Sequence, residues 1–218
     1  MTDLKSMIRL QTWLSPAFPI GAFSYSSGLE AAIDEGYVDD AKSLTTWLTD
    51  ILASGTVWND ALLLAEAWRC ATDKNALEDL ISLAQVMSFS SERYLETMDQ
   101  GSAFLLASKA WQENDLLPAK CPLPIAIGVL AARMSVALED TLAASLHAVL
   151  SNQIQAALRL MKLGQQGGLN VLAGLEDKVL QAARSATNSS LDDLGSCAII
   201  ADITTMKHET MQSRIFRS

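Results

Sequence analysis

Apolar residues recur at helical spacing along almost the whole chain, and no stretch sustains an alternation of period two with β-branched or aromatic enrichment. That single periodicity excludes sheets and leaves an all-α fold. With 218 residues, half of them apolar, the chain has enough material for one sizeable core. No linker of distinct composition divides it, so the expectation is one single-domain helical bundle of about ten helices.

The helices are marked by their breakers and caps. Leu4, Ile8 and Leu14 open a first helix that stops at Ser15, because the residue before Pro16 is pushed out of the α region. A second is expected from Tyr25 to Glu35, capped by the hydroxyls of Ser24, Ser26 or Ser27 and closed by a left-handed Gly36. Asp39 or Asp40 caps a third, with Leu44, Trp47, Leu48, Ile51 and Leu52 on one face, ending at Gly55. Helices follow over about 57–73, 76–89 (led by Asn75) and 91–113. The prolines of "LPAKCPLPIAIG" then suit the first turn of a helix over about 124–138. The next, over about 140–163, contains the longest uncharged run, Thr141 to Leu158, and is placed mid-bundle or at a subunit interface. Its His147, Ser151, Asn152, Gln153 and Gln155 are too costly in lipid for a membrane span. Two further helices, about 168–186 and 190–206, complete the body, the last introduced by Ser190.

Charge narrows the partners. The formal net charge of −9 repels nucleic acid backbones and anionic membranes. Cys70, Cys121 and Cys197 are odd in number and far apart, which fits reduced, buried thiols in a cytoplasmic protein rather than a disulfide framework. The N-terminus lacks the uninterrupted apolar core of a signal peptide.

Chemistry leaves little trace. There is no CxxC, HExxH or EF-hand spacing, and "GQQGG", Gly164 to Gly168, lacks the lysine and hydroxyl of a phosphate-binding loop. The seryl groups near Tyr25 lack a recognisable activating base. His147 reads as a core or interface imidazole, and His208, beside Glu209, as an exposed residue of the terminal segment. No catalytic residue, resident metal or cofactor is expected.

Two stretches remain whose composition wants a reason. "LSPAFPIGAFSYSSGLE", Leu14 to Glu30, packs prolines, glycines and aromatics into one connector, where Phe18 and Phe23 are expected to fill gaps between helices while the prolines limit the entropy lost on ordering. "KHETMQSRIFRS" sets Lys207, Arg214 and Arg217 against Glu209, a basic end on an acidic chain. Ordering about ten such residues costs roughly 1 to 2 kcal/mol each. Burying Ile215 and Phe216 returns only about 1.5 to 3 kcal/mol apiece, so residues 207–218 are expected to be a mobile tail unless another chain covers them.

These same stretches carry a family resemblance. "SPAFPIGAFSYSSGLE" and "HETMQSRIFRS" resemble the opening signature and C-terminal ending of the UreF family of urease accessory proteins. "SERYLETMDQGSAFLLAS", "GVLAA" and "LRLMKLGQQGG" are similar to its internal blocks, in order, so the likeness spans nearly the whole chain and implies one domain over 1–218. Departures stand at Ser27, Lys162 and Ile215, where a larger polar residue, proline and leucine are usual. The resemblance implies an all-helical, cytoplasmic, homodimeric, non-enzymatic scaffold and chaperone. Its implied partners are UreD (also called UreH), the GTPase UreG and apo-urease, with nickel handled as cargo during GTP-dependent insertion. Carried over residue by residue, the partner-binding positions are Tyr25, Gly28 and Glu30 with Ser213, Arg214, Phe216, Arg217 and Ser218. Two other roles fit less well: activation of UreG by an arginine finger, Arg214 or Arg217, and nickel storage through His208, Cys197 or His147.

Overall fold

A computed structural model describes residues 2–111 and 115–218. Among them are eleven α-helices, two short 3-10 turns and no strand, so the chain is all-α. The early helices begin where their caps dictate. α1 (Leu4–Trp13) starts on Asp3, whose carboxylate accepts from the Ser6 amide, and stops short of Pro16. α2 (Leu29–Asp34) closes on a left-handed Gly36 as expected. α3 (Ala41–Ser54) begins in a capping box between Asp40 and Ser43 and ends at Gly55. α4 (Thr56–Arg69) follows directly, and α5 (Lys74–Val86) is capped by Asp73, two positions before the anticipated Asn75.

α6 (Ser91–Ser108) and α7 (Leu123–Arg133) form the centre with α4. Every residue from Pro124 to Ala131 is buried, and a side chain on Gly128 would land on the Leu64 carbonyl oxygen, so α7 lies directly against the α4 backbone. Of the two expected places of α8 (Leu138–Leu160), the structure corrects the middle of the bundle. Its Leu142, Leu146, Leu150, Ile154 and Ala157 are buried, yet His147 and Val149 face outward. Neutral amides and small side chains let one face of the uncharged run Thr141 to Leu158 meet water, so His147 is no core imidazole. The end of the anticipated sixth helix, 112–114, falls outside the described residues.

Two further boundaries differ. The expected helix over 168–186 is α9 (Gln165–Gly174) and α10 (Glu176–Asn188), which break at Leu175. Ser190 introduces only a 3-10 turn, Leu191–Asp193, rather than a helix to 206. The backbone after it is spent on other partners: the Gly195 amide donates to Asn59 and the Cys197 amide to the Ser54 carbonyl oxygen. α11 (Ile199–His208) starts only beyond those bonds.

Of the cysteines, Cys121 is buried, its thiol pushed up to about 12 by burial, Cys70 is half-buried and Cys197 is exposed, against the expectation of three buried thiols. In the opening connector Phe18 does plug the core, tilted 5.5 Å from Phe104, beside Trp13 and Trp111. Phe23 does not: it is 65% exposed. No helix among the described residues is long and apolar enough to cross a membrane.

Candidate functional site

The two ends of the chain meet. Residues 207–218, expected to stand free, instead fold back over α2, α6 and the opening connector, with Phe216 and Ser218 buried. The entropy estimate failed because it weighed two apolar side chains alone. What seats the segment is a set of buried acceptors that engage its backbone and polar groups.

Glu30, in the first turn of α2, is the principal acceptor. One of its oxygens accepts from the Ile215 amide at 2.7 Å, and the other from the Phe216 amide at 2.9 Å. The second oxygen also lies 3.0 Å from His208 Nε2. Burial pushes this carboxyl up, but the two amides and the imidazole outweigh it and hold it below the usual carboxylate range.

His208, at the end of α11, is fully buried, which corrects its reading as an exposed residue. Its Nδ1 faces Glu92 Oε2 at 2.6 Å, so each ring nitrogen meets a carboxylate oxygen. The other Glu92 oxygen takes the Arg214 guanidinium. One turn further along α6, Glu96 accepts from the Ser218 hydroxyl at 3.0 Å and the Ser27 hydroxyl at 2.8 Å. Arg93, between these glutamates, is pinned by Asp60 and Glu96; burial disfavours its charge, and the two carboxylates more than restore it.

The connector completes the seat. Ser26 donates its amide to the Ser218 carbonyl oxygen at 2.7 Å, and the Arg217 amide donates to the Ser24 carbonyl oxygen at 2.8 Å. Tyr25 is buried against the Arg217 guanidinium, which lies 5.8 Å from its ring centre, and burial raises its phenol above the ordinary value. Arg159 of α8 stacks 4.5 Å from the Phe216 ring and donates to the Phe23 carbonyl oxygen. Gly28 holds a left-handed φ of 84°, and a side chain there would come within 2.6 Å of the Thr205 hydroxyl on α11.

Tyr25, Glu30, Arg214, Phe216, Arg217 and Ser218 are thus in direct contact with the opposite end of the chain or with α6, and Gly28 lies against α11. Ser213 is exposed beside them. No helix starts at Tyr25: α2 starts at Leu29, and of the seryl groups Ser26 accepts from the Glu30 amide in its first turn at 3.3 Å while donating to the Ser218 carbonyl oxygen, whereas Ser27 donates to Glu96. Sequence reasoning missed Glu92, Glu96 and Arg159. A signal existed for the first two, since Glu92, Glu96 and Gln100 recur every four residues and put a polar stripe on a face of α6 that is buried.

Around this junction Phe23 and Ile215 are 65% and 70% exposed, and the guanidinium of Arg214 is partly exposed. Among the described residues no three His, Cys, Asp or Glu side chains converge so as to hold a metal ion. The terminal segment thus rests on a base of buried carboxylates hydrogen-bonded to its backbone and polar groups.

Comparison with known proteins agrees with the whole length of the chain. The family model described as UreF matches residues 38–176. The urease accessory protein UreF of Mesorhizobium japonicum is 47% identical over 223 residues, covering all of both chains. That of Rhizobium etli is 45% identical over 218 residues, 99% of this chain and 98% of the relative. The protein of the same name from Agrobacterium fabrum is 46% identical over 219 residues. The connector and the terminal segment both lie outside the range of the family model and inside these full-length alignments.

Proposed function

The chain belongs to the UreF family of urease accessory proteins, and we propose that it acts in urease maturation as a cytoplasmic, non-enzymatic scaffold and chaperone that holds UreD (UreH) and UreG together during GTP-dependent insertion of nickel into apo-urease. The observation that carries this reading is the junction of the two chain ends. Residues separated by most of the sequence are locked into one surface that leaves Ile215 and Phe23 outside, and exposed apolar groups fixed on a rigid base are what a protein partner covers. Nickel is cargo of the assembly in this reading. A homodimer fits as well, since Ile199, Ile203 and Met206 line an outward face of α11 at helical spacing.

Co-purification with UreD and UreG tests the proposal. The intact chain is expected to capture both, and a chain lacking residues 213–218 neither. Because that deletion also strips Glu30 of its two amide donors, Ile215→Asp is the cleaner variant: the side chain is exposed, so stability should change by less than about 0.5 kcal/mol while capture is lost. Unchanged capture by Ile215→Asp would exclude this face.

A second reading, stimulation of the UreG GTPase, is favoured for Arg217 over Arg214, because Arg214 is already paired with Glu92 whereas among the described residues the Arg217 guanidinium meets Tyr25, at its ring and, 3.4 Å away, its hydroxyl. Arg217→Ala should then slow stimulated GTP turnover by about 10³-fold or more with the complex intact. Loss of the complex without a rate effect would leave the scaffold alone.

A further inference from the structure

The terminal segment is held by titratable side chains that are themselves buried. Glu30, Glu92 and His208 are 5%, 9% and 0% exposed, and buried ionic groups of this kind seldom stabilise a fold better than apolar residues of the same size. Their layout has a geometric outcome. Each carboxylate spends an oxygen on one nitrogen of the same imidazole, Glu92 at 2.6 Å and Glu30 at 3.0 Å. Glu92 turns its other oxygen to Arg214, and Glu30 its other oxygen to the Ile215 amide. The ring therefore sets the planes of both carboxylates. A closed circuit runs from His208 through Glu30 to residue 215, and from His208 through Glu92 to residue 214. With the amides of Ile215 and Phe216 both clamped on Glu30, the two side chains take opposite sides: Phe216 is buried and Ile215 stands out.

We propose that Glu92 and His208 are positioning residues of the partner-facing surface, which fix the segment through Arg214 and Glu30 so that Ile215 is presented in the one orientation that assembly recognises. This rests on the reading of 213–218 as a partner contact. Neither residue touches the partner; each acts through a neighbour. A merely structural role and a positioning role differ in how losses combine, because a residue that works by holding Arg214 contributes nothing more once Arg214 is gone.

The full-length chain is examined as wild type, Glu92→Gln, Arg214→Gln, the double variant and His208→Gln. Capture of UreD and UreG is measured by titration, and hydrogen exchange of the Ile215 and Phe216 amides is followed in the free chain. Each single variant at 92 or 214 is expected to weaken capture about tenfold, the scale of one charge-assisted bond. The double variant should be no worse than either. His208→Gln should speed exchange at both amides about tenfold with the melting transition still cooperative. Additive losses in the double variant, or unchanged exchange in His208→Gln, would overturn the proposal. Should Glu92→Gln fail to fold, His208→Gln replaces it in the cycle with Arg214→Gln, judged by the same rule. If the wild type captures neither partner, the functional reading fails while the exchange measurement still decides the circuit.

Discussion

Glu30 shows how one side chain can carry an arrangement. Its carboxylate meets two consecutive amides and an imidazole, so replacing it by glutamine weakens charge-assisted bonds worth about 1.5 to 3 kcal/mol each. Its folded-state affinity for a proton is depressed, so the stabilisation it supplies is complete above the ordinary glutamate value of 4.5 and lost as pH falls through the lower folded value. Urea unfolding of wild type and Glu30→Gln should accordingly show a gap at pH 7 that persists to about pH 5 and closes below the ordinary value. A gap that stays constant to pH 3 would mean that the charge of Glu30 is not what seats the segment. The buried role of His208 was hidden from sequence, since an imidazole near a chain end reads as solvated until its two carboxylate partners, 116 and 178 positions away, are known.

Helices meet here at glycines, and the cost of adding a methyl group depends on what faces it. Gly128 on α7 lies against the α4 backbone, which cannot step aside, so Gly128→Ala should destabilise by about 1 to 3 kcal/mol or more. Gly174, in the last turn of α9, has nothing within 4 Å of the same methyl group. There Gly174→Ala should stabilise by about 0.5 to 1 kcal/mol through the unfolded chain. Equilibrium unfolding that gave both the same sign would contradict the packing described. Element existence was legible wherever period and cap agreed, as at Asp40 before α3 or Pro124 in the first turn of α7. Boundaries failed where the backbone found a distant partner: nothing local to Gly195 or Cys197 says that their amides go to Asn59 and Ser54.

Across the whole molecule an acidic chain turns a basic, apolar corner outward, where its first connector and last residues interlock. The family blocks at both ends were visible in sequence, and so were the residues that compose the corner. Their mutual contact was not, because it depends on partners remote in sequence, Glu92 and Glu96 on α6 and His208 at the end of α11. The central claim is that this corner serves assembly for nickel delivery and that the chain performs no covalent chemistry itself. It is tested most directly by the nickel content of urease purified from cells that lack this chain, complemented with wild type or with Ile215→Asp. Near-stoichiometric nickel with the wild type, and little with the variant or without the chain, is the expected result. Full nickel content in the cells lacking the chain would contradict the account.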